Sequence, residues 1–283
     1  MRRNMKRFFR RPPLLLLLLL EAACSTMPHT GGYYENDGPG RKPLIGVSHI
    51  PDAVPRAEPL SATGNQPYTV LGKTYYPLKS AAGYQERGIA SWYGKQFHGK
   101  LTSDGEHYNM YAMTAAHKTL PLPSYARVTN LNNGRSVIVR INDRGPFLEN
   151  RLIDLSYAAA AKLGILATGT GIVEVDGLAP QETTPRTITA EAAVPDPSAP
   201  AVESDARTPL LYLQVGAFAS RNNAETLRSH LEQADFKAVK VEHAHSSSLY
   251  RVRIGPIANV EASDRLAQRI AAYGIHNAYV VVE

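Results

Sequence analysis

The 283-residue sequence holds one cysteine, Cys24, and one tryptophan, Trp92. A lone cysteine excludes an intrachain disulfide and a thiolate-rich metal centre. His98, His107 and His117 fall at spacings that match no helical metal-binding pair, so neither a metal nor a cofactor is expected. There is no Gly-x-Ser-x-Gly elbow and no glycine-rich phosphate loop, which removes support for serine-hydrolase and nucleotide-binding classes. Long hydrophobic runs are also lacking. The seven leucines at 14–20 fall far short of the ~20 apolar residues a membrane-spanning helix needs.

Positive charge is in excess, at a net +6. Its distribution argues against a nucleic-acid partner. Arg2, Arg3, Lys6, Arg7, Arg10 and Arg11 precede Cys24 together with one acidic residue, Glu21, so the remainder carries only +1. The basicity is a targeting feature. A basic start, a leucine run and Ala22-Ala23-Cys24 give residues 1–24 the layout of an export signal. The last three residues resemble a bacterial lipobox, whose cysteine becomes lipidated. Ser25 follows, without an aspartate to retain the protein in the inner membrane. The resemblance therefore implies an outer-membrane lipoprotein facing the periplasm.

Residues 25–67 are rich in proline, glycine and polar side chains and read as a disordered tether. A small hairpin is expected after it, with Gly72-Lys73 at the turn. The domain over 68–179 shows strand patterns at 88–93, 126–130, 136–142 and 172–175, and one helix from Ser156 stopped by Gly164. Many short strands with a single short helix suggest a small closed barrel. Residues 180–209 hold six prolines and read as a second disordered linker. The last segment, 210–283, repeats itself at an offset of 39: Val215-Gly216-Ala217-Phe218 matches Ile254-Gly255-Pro256-Ile257. Each copy reads strand–helix–strand, with Ser220 and Asn259 as equivalent N-caps. The fold class is thus mostly β plus α+β: a barrel, and a separate ferredoxin-like βαββαβ sandwich.

Alternation along 136–142 predicts that Asp143 continues the apolar face of Val137, Val139 and Ile141 and closes it at the barrel rim. Desolvation there would favour a protonated carboxyl, as a general acid requires. The same residues also fit a turn whose aspartate accepts backbone N–H groups. Glu106 follows the Asp104-Gly105 turn and reads either as a solvated charge or as a second carboxylate. His117 reads either as a structural histidine or as part of the site.

These residues sit in a series of short motifs: Ser91-Trp92-Tyr93-Gly94, Phe97-His98-Gly99, Thr102 to Glu106, Met113 to His117, Val128-Thr129-Asn130-Leu131, Ile141 to Phe147 and Asp154-Leu155-Ser156. In this order they resemble the RlpA family, whose barrel is a six-stranded double-psi β-barrel related to expansins. Residues 210–283 resemble a SPOR domain, a peptidoglycan-binding module. The resemblance implies a lytic transglycosylase of the division septum. Its substrate would be glycan stripped of stem peptides, cut between N-acetylmuramic acid and N-acetylglucosamine to leave 1,6-anhydro ends. It implies Asp143 and Glu106 as the acidic pair, Asp143 for acid/base work and Glu106 for charge stabilisation, with His117 orienting a carboxylate or a sugar hydroxyl. Trp92, Tyr93 and Phe97 offer either sugar-stacking surface or core. The implied partners are glycan strands, the outer membrane through Cys24, and division-septum proteins. In the SPOR-like segment, Tyr212, Gln214 and Phe218 fall on one face of their strand, and Arg251 and Arg253 on the matching face of theirs, giving groups that can stack on and hydrogen-bond to sugars. Two other functions fit: a non-catalytic, expansin-like glycan-binding lipoprotein, and a hydrolase that activates water.

Overall fold

The structure, a computed structural model, describes residues 37–39, 46, 50–179, 209–243 and 248–283. Cys24, the export signal and the linker at 180–208 lie outside the described residues.

A hairpin of β1 (Tyr68–Val70) and β2 (Lys73–Tyr75) precedes the barrel. Its turn is Leu71-Gly72 rather than Gly72-Lys73: both residues take positive φ (50° and 75°), and Lys73 opens β2. The barrel strands are β3 (Gln85–Tyr93), β4 (Thr114–His117), β5 (Ser124–Asn130), β6 (Ser136–Asp143), β7 (Ile153–Ser156) and β8 (Gly171–Leu178). They close in the order β3-β7-β4-β6-β5-β8. The β3–β7 and β4–β6 pairs are parallel and the remaining four antiparallel. Inward-facing residues such as Ala90, Val128, Val139, Ile141, Ile153, Leu155 and Val173 are all fully buried. The six-stranded barrel expected from the sequence is what forms.

Helix α1 (Tyr157–Leu163) plugs one side. Ser156 Oγ accepts the Ala159 N–H at 3.1 Å and donates to the Ala112 carbonyl at 2.6 Å. Gly164 ends the helix at φ 80°, its N–H bonded to the Ala160 carbonyl. That left-handed position favours glycine.

The stretch expected as tether ends earlier than residue 67. From residue 50 the chain lies against the barrel. Ala53 N–H bonds Ile138 O and Ser61 N–H bonds Leu122 O, while Ile50 and Ala53 pack on the core. Glu58 bridges Arg140 and Tyr125. Burial alone would raise its carboxyl, but the hydrogen bonds from Arg140 and Tyr125 outweigh that and hold it at about 2. Proline-rich composition suggests an extended chain, and extended chain is what binds along a barrel edge.

The C-terminal domain has β9 (Leu211–Phe218), α2 (Arg221–Gln233), β10 (Val239–His243), β11 (Tyr250–Ile257), α3 (Val260–Ala272) and β12 (Tyr279–Val282). The antiparallel sheet runs β10-β11-β9-β12. Both helices start at the repeat's equivalent caps, although only Asn259 makes the side-chain bond, accepting Ala262 N–H at 2.8 Å. Leu213, Val215, Val252 and Ile254 meet Ala224, Leu231 and Ile270 in a core of their own.

Candidate active site

Asp143 ends β6, but not on the face that alternation predicts. Ala115 pairs with Ile141 and the next residue, Ala116, pairs with Asp143, so Asn142 is an extra residue in the strand. This bulge reverses the parity: Ile141 points inward, while Asp143 shares the outward face of Ala116. The expected rim position is therefore corrected to the outer face of the barrel, where the short row of strands around Ala116 forms the floor of the site. There Asp143 Oδ1 accepts Ser103 N–H (2.8 Å), Ser103 Oγ–H (2.6 Å) and its neighbour's Arg144 N–H (2.7 Å). The turn reading of this segment thus describes its hydrogen bonds, and the site reading describes its location.

The loop that supplies Ser103 also brings Glu106 to the end of β6. Thr102 N–H bonds Glu106 O, and Asp104 accepts the Thr102 hydroxyl at 2.7 Å. Glu106 Oε2 receives Arg140 Nη1 at 2.7 Å and Asn142 Nδ2 at 3.1 Å. Its side chain is half-exposed, so Glu106 is an ion-paired carboxylate beside the groove. Arg140 is shared with Glu58, and these two carboxylates hold its guanidinium charged against its partial burial.

His117 is nearly fully buried. Its Nδ1 accepts the N–H groups of Thr119 (3.1 Å) and Leu120 (2.9 Å), which leaves the proton on Nε2 to be donated to Tyr84 Oη at 3.0 Å. Tyr84 in turn donates to Glu86 at 2.7 Å. Burial, reinforced by Lys118 and Arg144, lowers the imidazole to about 3, so it stays neutral. Adjacent strand residues face opposite sides, which sets the His117 ring on the face away from Ala116 and Asp143. It supports the strand that forms the groove floor.

One residue of the groove is not singled out by the sequence. Asp143 pairs with Ala116, Ala116 with Asp154 and Asp154 with Ser91, so a row of four strands presents Asp143, Ala116, Asp154 and Ser91 on one face. Asp154 accepts the Ser91 hydroxyl in a short hydrogen bond. Burial raises its carboxyl to about 6, only partly offset by the Ser91 bond and the charges of Arg151 and Lys118. Two carboxyl groups thus flank the small Ala116, two strand spacings or ~10 Å apart at the backbone. Gly145, at φ 137°, lies beside the same floor, with its Cβ position 3.9 Å from Ala116 Cβ. The signal that could have found Asp154 is its place in Asp154-Leu155-Ser156, but four-residue β7 shows no usable periodicity.

Trp92 and Tyr93 are core residues, 2% and 5% exposed, and Phe97 is half-buried against them. Tyr93 stacks on Tyr108 with ring centroids 4.1 Å apart. Trp92 and Tyr93 are thus core rather than stacking surface.

In the C-terminal sheet a second bulge moves Phe218. Gly216 pairs with Val252 and Gln214 with Arg253, which makes Val215 the extra residue. Phe218 therefore joins the helix-covered face, where its ring occupies the space a Cβ on Gly216 would need, at 2.8 Å. The expected open-face role of Phe218 is corrected; the exposed aromatic beside Gln214 is Tyr279. Gln214 bonds the Tyr279 hydroxyl at 2.5 Å, and Arg253 is held by Glu242 at 3.0 Å and by Glu283. Gln214 and Arg253 are buried in this network, Tyr212 is buried in the same strand as Gln214, and Arg251 is half-exposed.

Among the described residues no cluster of His, Cys, Asp and Glu could hold a metal ion, and no helix is long and apolar enough to cross a membrane.

The family model for lytic transglycolase matches residues 85–176, and the SPOR domain model matches residues 209–281. A protein of Pseudomonas aeruginosa named Endolytic peptidoglycan transglycosylase RlpA is 44% identical over 270 residues, covering 80% of this chain and 79% of its own. A protein of the same name from Vibrio cholerae is 39% identical over 260 residues, covering 92% of each chain. Among solved structures, the RlpA SPOR domain from Pseudomonas aeruginosa is 33% identical over 25% of this chain and 96% of that one, with a TM-score of 0.24.

Proposed function

The chain belongs to the RlpA family, and from that premise we propose that it is an endolytic peptidoglycan transglycosylase whose cleavage site is the groove over Ala116. The observation that carries this is the row Asp143–Ala116–Asp154, two carboxyl groups on either side of a small residue. A glycosidic bond laid across Ala116 meets a carboxyl from each side, the arrangement glycan cleavage uses.

The two carboxyls divide the work. Asp154, raised to about 6 by burial, keeps about a tenth of its molecules protonated at pH 7, far more than an ordinary aspartate, and that form donates its proton to the oxygen between muramic acid C1 and N-acetylglucosamine. As that bond breaks, the C6 hydroxyl of the same muramic acid attacks C1. Asp143 presents the oxygen not engaged by Ser103 and takes the C6 proton. The products are a 1,6-anhydro end and a free 4-hydroxyl. The proton passes from Asp143 back to Asp154 through solvent, and no water is consumed. Glu106, fixed by Arg140 and Asn142, adds negative charge beside the cationic transition state. His117 acts as a positioning residue for the floor strand.

The remaining readings are of a protein of the cell envelope that binds peptidoglycan. Lipidation at Cys24, outer-membrane attachment and enrichment at the division septum extend it, supported by the sequence of the first 24 residues and by the SPOR segment.

The test is mass analysis of stripped glycan incubated with the purified protein. Anhydro ends are expected; reducing ends would mean hydrolysis, and an uncut substrate would mean a binding protein. Asp143→Asn and Asp154→Asn are each expected to lower kcat by about 100-fold or more, the scale of a lost acid or base. Full activity in either removes that residue from the mechanism.

A further inference from the structure

The two domains touch through a built contact. Arg151, two residues before β7, has a side chain only 2% exposed, and its guanidinium makes a bidentate pair with Asp264 of α3: Nη1 to Oδ1 at 3.0 Å and Nη2 to Oδ2 at 2.6 Å. Such forked pairs fix orientation as well as distance. Beside it, Asn150 Oδ1 accepts the backbone N–H of Val280 in β12 at 3.1 Å. A mixed apolar cluster completes the contact: Leu131 and Ile172 from the barrel, and Leu211, Ile257, Val260 and Val282 from the C-terminal domain. Ile172, Leu211 and Val282 are all at most 9% exposed.

We propose that the C-terminal domain docks on the barrel in solution through the Arg151–Asp264 pair, so that the two domains engage one glycan strand as a fixed pair. The strand-engagement half rests on the function proposed above; the docking half does not.

Three features support a specific and releasable contact. The charge pair sits at the margin of an apolar patch, as in interfaces with a buried core and a polar rim. A cavity of about 710 Å³ remains between the domains, with Leu131, Thr168 and Ile172 on one wall and Asn259, Val260 and Glu261 on the other. The seam is thus not packed like a domain interior. The contact is also coupled to the carboxyl face, because the Arg151 carbonyl accepts the Lys118 ammonium and the charges of both residues act on Asp154. A strand held on a docked sheet stays at a set distance from the groove, which raises its effective concentration there over that given by a free linker.

The test uses the full chain and the variants Asp264→Arg and Asp264→Ala. Asp264 lies on the outer face of α3 with a 31% exposed side chain, so both should fold; melting curves check this. Small-angle scattering of the wild type is expected to fit one interdomain separation, and both variants a larger radius of gyration with a spread of separations. A wild type that already scatters as two independent bodies overturns the proposal, as do variants that scatter like the wild type. In kinetics, both variants should raise KM for long stripped strands by about five-fold relative to their KM for a tetrasaccharide. Changed scattering with an unchanged long-strand KM overturns the fixed-pair half. A wild type that cleaves nothing sinks the proposed activity, whereas docking still stands or falls on the scattering curves.

Discussion

At the scale of single residues, the site is governed by two groups that burial pushes in opposite directions. Asp154 is raised to about 6 in the folded chain, against ~3.9 for an unperturbed aspartate. The folded state therefore holds a proton that the unfolded state releases, and stability falls as pH rises from about 4 to 6. His117 is lowered to about 3, against ~6.5 unperturbed. Here the unfolded state takes up the proton first, so stability falls as pH drops from about 6.5 to 3. Asp154→Asn keeps a partner for the Ser91 hydroxyl and removes the ionisation. It should raise unfolding free energy at pH 7 by on the order of 1–3 kcal/mol, with the gain disappearing near pH 4, while turnover is lost. Urea unfolding at the two pH values checks this. A variant no more stable than wild type at pH 7 would mean that Asp154 ionises without strain.

At the scale of elements, the decisive features are bulges, and these are what the sequence conceals. The stretches at 88–93, 126–130, 136–142 and 172–175 show enough β-branched and apolar alternation to be recognised, and they form the greater part of β3, β5, β6 and half of β8. β4 and β7 are four residues each, and their partners are far away in sequence, so neither alternation nor a turn marks them. Asp154 lies in β7, so no pattern marks its face, and the acidic pair the resemblance implies is Asp143 and Glu106 without it. Nor does composition reveal that Asn142 and Val215 are extra residues, since a bulge is a property of pairing. Each inverts one assignment, moving Asp143 outward and Phe218 inward. By contrast the 39-residue repeat exposes both helices of the C-terminal sandwich, because helix caps and apolar spacing are local. The Val215 bulge also explains Gly216. In Gly216→Ala the new Cβ would lie 2.8 Å from Phe218 Cε2 and 3.1 Å from Leu227 Cδ2, an overpacking expected to cost about 1–3 kcal/mol. Thermal unfolding should show the loss in the C-terminal transition only; an unaffected transition would mean that the Phe218 ring is not confined there.

At the scale of the whole molecule, the barrel and the sandwich have separate cores, and among the described residues they share the small cluster around Ile172. The proposed function divides the labour between them: chemistry in the groove, retention on the sheet. Removing residues 210–283 leaves the barrel closed, with all six strands paired, and exposes Leu131, Ile172 and Arg151. Such a truncated chain should still convert a stripped tetrasaccharide at close to the full-length rate. Its sedimentation with insoluble stripped glycan should fall by about ten-fold or more, since linked binding sites reinforce one another by such factors. The pair of substrates separates anchoring from catalysis because the short one does not report on the sheet and the insoluble one does. Equal sedimentation of the two chains would assign glycan retention to the barrel itself and leave the buried network of Gln214, Arg253 and Glu283 as a purely structural feature of the sheet.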